Sequence, residues 1–231
     1  VAKVPSYDTL KNKQRELIRK ALDGSVFVAP FADPTGDPTA VFTNLTAKTG
    51  TAPNEVIDLV ALPTGWDDLG LLSTDGVSFA SDVTTSDVQS WGSVTPTRTD
   101  IVSDTTTLTV TAQETKALTI GILSGVDVAS LTPNVDTGEV AFAKPTRPAG
   151  SYYRLFSLAV DLADAGEIYI GRFLPRAKKS NQGEQAFGGG DDPISYPFTF
   201  TGEVDDTLGF SEKWYFGGAG WNAMLAEMGW S

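Results

Sequence analysis

No histidine and no cysteine occur anywhere in the 231 residues, and methionine appears only twice. The missing imidazole removes Ser-His-Asp and Cys-His catalysis together with His-dependent zinc sites; the missing thiol removes disulfides and thiolate metal clusters. A cysteine-free chain fits a reducing compartment only weakly, because exported bacterial proteins also lack the residue. Bases are scarce as well: 17 Lys and Arg face 29 Asp and Glu, a formal net charge of -12. That balance argues against wrapping nucleic acid, which takes many phosphate-neutralising contacts, whereas an acidic surface repels DNA and keeps a passage non-sticky. No apolar run reaches eighteen residues, and the opening VAKVPSYDTLKNKQRELIRK lacks the apolar stretch of a secretory signal, so a soluble, cytoplasmically made chain that binds no membrane is expected.

Carboxylates are the chemistry left. Asp67 and Asp68, Asp191 and Asp192, and Asp205 and Asp206 form adjacent pairs that in principle bind a divalent cation or act as acid and base. Each pair lies in a predicted turn beside Gly, Pro or Thr, and neighbours on a strand point to opposite faces. Solvated turns are the better reading. Gly188, Gly189 and Gly190 are not a phosphate loop, because no Lys followed by Ser or Thr comes next. No catalytic, cofactor-binding or metal-ligating residue is assigned.

What is present is a folding chain: 41% apolar residues, with 12 Phe, 6 Tyr and 5 Trp. The expected organisation is an N-terminal helix or arm over residues 1–24 and one β-rich domain over 25–231. Residues 7–22 have few breakers, Ser6 stands at a cap position and Gly24 at a stop. Leu10, Leu17 and Ala21 make a thin apolar stripe, extended by Ile18 and Leu22, on an otherwise basic helix. A stripe this sparse holds a helix onto something larger, either its own domain or a neighbouring subunit.

Period-two alternation dominates the rest. Residues 25–30 are a short strand candidate, and 56–62 are apolar. Val77, Phe79 and Val83 share one parity, and Ser78, Asp82 and Thr84 the other; Thr105, Thr107, Thr109 and Thr111 alternate with Leu108 and Val110. Threonine favours extended backbone while keeping a hydroxyl, so such a strand lines water without giving up β preference. The period changes near residue 113: Thr111 and Glu114 form a candidate capping box, Ala117, Leu118, Gly121 and Ile122 share a helical face, and Gly125 is a stop, giving a helix over about 113–124.

A short strand is expected at 139–143. Residues 153–162 are apolar on both sides, as in a strand buried on both faces. A tight hairpin over 163–166 leads into a strand over 167–174, and in residues 194–204 Ile194, Tyr196, Phe198 and Phe200 oppose Ser195, Thr199, Thr201 and Glu203. Pro197 lacks an amide donor and places this strand at an edge or at a bulge near its start. Residues 210–216 form a last strand candidate. The economical fold is mainly β: a two-layer antiparallel sandwich or partial barrel with one main helix.

Between the last strands, RAKKSNQGEQAFGGGDDP (176–193) reads as a long loop with Arg176, Lys178 and Lys179 at its base and Asp191 and Asp192 at its end, suited to head-to-tail pairing of copies or to an ordinary charge-balanced surface loop. Charge is also uneven along the chain. Acids crowd 67–104 against the lone Arg98, while bases outnumber acids in the first twenty-four residues; unlike surfaces steer polymerisation.

WDDLGLLSTDGVSFA, with Trp66, Leu69, Gly70, Asp75, Gly76 and Val77, resembles the major tail protein of long-tailed siphophages that infect actinobacteria. So does the following stretch, through Asp87, Val88, Trp91, Pro96, Arg98 and the threonine strand into Gln113 and Glu114. YRLF, GRFLPRAKKSNQGEQAF and YPFTFTGEVD extend the likeness over roughly residues 60–216. The resemblance implies a tail-tube fold without catalysis: six subunits close a ring, each giving two hairpins to one continuous β-barrel, and rings stack around a tape measure protein. Tail initiator and terminator proteins are further implied partners, and double-stranded DNA transits the bore without specific binding. The implied place of work is the virion tail, assembled in the bacterial host cytoplasm.

Joined to the alternation, this implication makes Asp82, Thr84, Thr105, Thr107, Thr109, Ser195, Thr199, Thr201 and Glu203 the candidate channel face. Arg176, Lys178, Lys179, Gln185, Phe187, Asp191 and Asp192 become the candidate inter-ring loop, and 114–124 the helix beside the sandwich. Three rivals stand beside it: a capsid decoration or other virion β-sandwich protein; an adhesin or carbohydrate-binding module with Trp66, Trp91, Trp214 and Trp221 as an aromatic platform; and, with least support, an enzyme.

Overall fold

The computed structural model describes residues 7–31, 44–51, 55–147, 150–188 and 192–230. Ten strands follow in chain order: β1 (Asp23–Pro30), β2 (Thr46–Thr49), β3 (Val56–Leu59), β4 (Asp67–Asp68), β5 (Leu72–Val88), β6 (Arg98–Ala112), β7 (Tyr152–Ala163), β8 (Gly166–Gln182), β9 (Tyr196–Glu203) and β10 (Lys213–Gly217). Three α-helical pieces accompany them: a single turn α1 (Tyr7–Leu10), α2 (Ala117–Ser124) and α3 (Ala219–Ala223). The chain is mainly β and antiparallel. Eight strands make one sheet in the order β4-β1-β7-β8-β9-β6-β5, with β10 paired to β8, and β2 and β3 pair separately.

The two ends of that order, β4 and β5, are only residues 69–71 apart in the chain. The sheet therefore curls until its edges meet at one end, a partial barrel that does not close. Leu69 donates its N–H to Val26 O at 3.0 Å, and Leu71 O accepts from Gln113 N–H at 2.9 Å. Glu114 clasps this seam, accepting the Leu71 N–H at 2.7 Å. A Cβ on Gly70 would lie 2.4 Å from that carboxylate, and the residue's φ of +89° suits glycine alone.

Alternation then decides the layers. Val26, Val28, Leu155, Leu174, Ala177, Phe198, Phe200, Leu108 and Val110 point into the curl, and α2 closes its end with Ile122. Phe156, Phe173 and Tyr215 point to the opposite face of β7, β8 and β10, where Leu45, Leu62, Trp66 and Phe210 cover them. So β7 is buried on both faces, as its two-sided apolar pattern predicts, and β8 beside it is buried on both faces over residues 168–174.

Several expectations are corrected. Residues 7–22 form no continuous helix: one turn at Tyr7–Leu10 and a 3-10 turn at Arg15–Leu17 are all the helix they hold. Leu10, Ile18 and Leu22 stay exposed. A short helix without a packed stripe is marginal in water, and by Leu22, whose N–H donates to Val160 O, sheet pairing has taken over. Gly24 is not a stop but part of β1, where a Cβ would come 2.8 Å from Leu158 O. Ser6 lies outside the described residues.

Thr111 and Glu114 make no capping box, because Thr111 stays in β6 and Lys116 occupies the N-cap of α2; Gly125 does end the helix, at φ 72°. Residues 139–143 form no strand. They follow a turn in which Asn134 Oδ1 accepts the Asp136 and Thr137 N–H groups, and no partner strand lies alongside.

The expected loop over 176–193 starts too early. β8 runs on to Gln182 because it finds partners on both sides, with Tyr152 opposite Lys178 and Lys178 opposite Thr201. Pro175 is tolerated within it at a bulge, where Leu155 opposes Leu174 but Tyr153 opposes Ala177. β9 is likewise interior, and Pro197 sits near its start, two residues before the register irregularity against β8.

Candidate functional site

On the face of the sheet away from the curl, β5, β6, β9 and the end of β8 carry no covering layer among the described residues. Strand register aligns Lys178, Thr201, Thr107 and Ala80 in one row across the four strands. The next row holds Asn181, Thr199, Thr109 and Ser78, and Asp82 pairs with Thr105 and Thr84 with Ser103 further along. Thr109 and Thr199 hydroxyls lie 3.2 Å apart, and the Thr107 hydroxyl donates to Ala80 O at 3.4 Å. Ser195, half-buried, continues the β9 parity just before the strand. Eight of the nine hydroxyl and acidic residues expected on a channel face thus share one polar face by strand parity, and Ser195 lies just before it.

Sequence reasoning missed two members of that surface. Arg176, opposite Glu203, and Lys178, opposite Thr201, belong to β8 and face the same way, not out along a loop. Arg176 is not a bare cation: it lies 3.5 Å from Glu203 and 3.9 Å from Asp206 and stacks over Tyr152 at 4.3 Å. Side-chain hydrogen bonding with Tyr152, with the two carboxylates behind it, raises its pKa still further above neutrality, against the opposing effect of burial. The signal that could have found both residues was the β partner potential of 152 and 201, not the polar composition of 176–182.

Lys179 has the opposite orientation and another role. Its Nζ donates to Ile122 O at 2.5 Å and Leu123 O at 2.7 Å, so it satisfies the last carbonyls of α2 where the helix dipole is negative. Burial, with Lys144 nearby, holds its pKa below the usual lysine value. Of the remaining loop candidates, Gln185 is half-buried, Phe187 and Asp192 are exposed, and Asp191 lies outside the described residues.

β5 and β6 do not stop at the body. Pairing with β9 ends at Thr107, yet the two strands stay paired to Val88 and Arg98, forming an arm of about 25 Å beyond Ala80 at the usual rise per residue. Nearly all of it is exposed on both faces, including Val83, Val88, Ile101 and Val102, and its tip carries Trp91 and Val94 at about 100% exposure (108% and 101%). An isolated two-stranded hairpin is marginal in water, and unpaired strand edges seek partners.

The other sequence candidates have structural duties. Asp205 is buried and caps its own turn, accepting the Thr207 and Leu208 N–H groups at 2.8 and 3.2 Å. Among the described residues no group of three or more acidic side chains could hold a metal, and no helix is long and apolar enough to cross a membrane. The four tryptophans form no common platform: Trp66 is in the outer layer, Trp91 is at the arm tip, and Trp214 and Trp221 flank Phe216.

The family model described as phage tail tube protein matches residues 11–202. The chain belongs to the phage tail tube protein family. It is a structural subunit and not an enzyme, and the tail tube assignment makes it a virion tail component that assembles with other subunits. One solved structure, a virion of a native gene transfer agent particle, resembles it at a TM-score of 0.32 and 10% identity, covering 73% of this chain and 99% of that one. No curated protein matches the sequence.

Proposed function

We propose that six copies of this tail tube protein close side by side into a ring, and that rings stack around a tape measure protein between a tail initiator and a terminator. The hydroxyl and acidic face of β5, β6 and β9 lines the bore through which double-stranded DNA then passes. The host is an actinobacterium, the virion is that of a long-tailed siphophage, and the subunit is made in the host cytoplasm; the matching motifs between residues 60 and 216 support this.

The observation that carries the reading is the β5–β6 arm. Residues 72–88 form a long strand with one edge unpaired, at the border of a sheet whose outer face is a row of threonines. Pairing that edge with a neighbouring copy removes the exposed ladder and continues the row around a common axis. Small hydroxyls give DNA little cationic anchorage: Arg176 on the same face pairs with Glu203, which leaves Lys178 as the base in the row. The loop after β8 sits at the opposite end of the strands from the arm tip, where a stacked ring meets it.

The test uses particles. Thr107→Lys with Thr201→Lys adds charge to the row that already holds Lys178, and DNA delivery should fall while tubes of normal length still form by negative-stain microscopy. Normal delivery from such particles rules out the bore placement. Deleting residues 185–190 should shorten or destabilise tubes while the subunit still folds.

A further inference from the structure

A cleft of about 550 Å³ opens beside α2 at the end of the strands remote from the arm tip. Phe31, Leu118, Val126, Val128, Ala129 and Tyr153 supply apolar wall, and the acidic groups lining it are Asp67 and Asp127. No base lines it. At the far end of the molecule the arm tip offers the complement: Trp91 and Val94, both fully exposed, with Arg98 at the neck of the loop as the only base between residues 67 and 104.

The geometry points to the arm tip of one copy docking in the α2 cleft of a second copy in the next ring. This rests on the stacked-ring reading and names the surfaces that join one ring to another. A knob and a hole on different surfaces make a heterologous contact, which does not saturate in a dimer but repeats along an axis. The positions suit that repeat, because the tip lies at the Val88 end of the arm whereas the cleft lies at the Ala112 end, where β6 gives way to α2. Charge agrees with the apolar match: Arg98, already beside Asp100, approaches a rim carrying Asp67 and Asp127. An aromatic anchor entering a preformed apolar pocket is the usual seat of interface energy.

Because the chain has no cysteine, a designed pair reports cleanly. Tubes assembled from the Val94→Cys, Ala129→Cys double variant with the tape measure and initiator should, on oxidation, run as a ladder of dimers, trimers and longer species on denaturing gels. A mixture of V94C chains and A129C chains should stop at dimers. V94C paired with Val135→Cys, exposed outside the cleft, should give no ladder. In parallel, Trp91→Ala should leave the melting temperature of the subunit unchanged while raising the concentration needed for tube assembly at least about tenfold.

Tubes of parental length with no V94C–A129C cross-link overturn the contact and leave the tube function standing. So does a cross-link that compacts single chains without a ladder, since the cleft would then be filled from its own molecule. If the parent chain with its partners forms no tubes, the contact falls together with the function it rests on.

Discussion

β7 is dense in apolar residues, whereas the β5–β6 arm carries only a few among its hydroxyls and acids, and the surroundings of those residues are opposite. On β7 successive residues Leu155 and Phe156 are each 2% exposed or less, one pointing into the curl and one under the outer layer. On the arm Val83, Val88, Ile101 and Val102 are all about half exposed or more. The described residues supply two covers for β7 and none for the arm. The apolar residues of the arm are therefore not buried within one molecule, and in the proposed ring a neighbouring copy covers them.

The largest break in that comparison comes from the side that is already covered. Phe173 is wholly buried between Trp66 and Phe210, with ring centroids at 6.2 and 6.4 Å. Phe173→Ala should cost about 3–5 kcal/mol of unfolding free energy, the usual range for an aromatic cavity. Urea melts read this directly, and a loss below about 1 kcal/mol would mean that the outer layer is not a second core.

The joint between the two regions comes next. Arg172 lies between Phe79, at 3.7 Å, and Trp214, at 4.0 Å, and pairs with Glu212, which also accepts the Thr106 hydroxyl at 3.2 Å. These contacts tie β5 and β6 to β8 and β10 where the arm leaves the body. Glu212→Ala strands a mostly buried guanidinium and should cost roughly 2–3 kcal/mol, somewhat under the value for a fully buried pair. Replacing both partners, Arg172→Met with Glu212→Leu, should cost less than the single change. Equal losses would mean the ion pair itself contributes nothing to the joint.

The same contrast separates what was readable in the sequence from what was not. Strands whose alternation matches one packed face, such as the threonine run of β6 and the aromatic run of β9, were legible because periodicity alone places them. The two-faced apolar pattern of residues 153–162 also read correctly. Residues 176–182 did not, since AKKSNQ has no β signature and is extended only because β7 and β9 flank it. Residues 7–22 failed in the other direction: helix propensity was visible, but Leu10, Ile18 and Leu22 of the stripe found no surface to cover them. Thr107 and Thr201 could be grouped by parity, whereas Lys178 beside them needed the register.

Alkaline titration probes the covered region with a smaller effect. Burial, with the hydrogen bond to Glu167 behind it, pushes the Tyr169 phenol up to about 12 from an ordinary value near 10. A phenol whose folded pKa is raised stabilises the fold fully below the unfolded pKa and loses that contribution as pH climbs through the folded one. Stability should thus decline between about pH 10 and 12. Tyr169→Phe should flatten part of that decline in melts taken across the window; an unchanged slope would assign it elsewhere.

The smallest effect on folding is expected on the arm, and there the comparison is sharpest. Ile101 is 71% exposed and paired only with Thr85 across the hairpin. Removing an exposed apolar side chain leaves nothing unpacked in the free subunit, so Ile101→Ser should shift unfolding free energy by no more than about 0.5 kcal/mol. In an assembly that covers the arm, the same change deletes buried surface from every repeated contact, and tube yield after concentration with the tape measure should drop severalfold. Because the free subunit is untouched, sedimentation of folded monomer and microscopy of tubes separate the two outcomes. Normal tubes from I101S would place this face of the arm in solvent even in the assembly, and the apolar pattern of β5 and β6 would then need another partner.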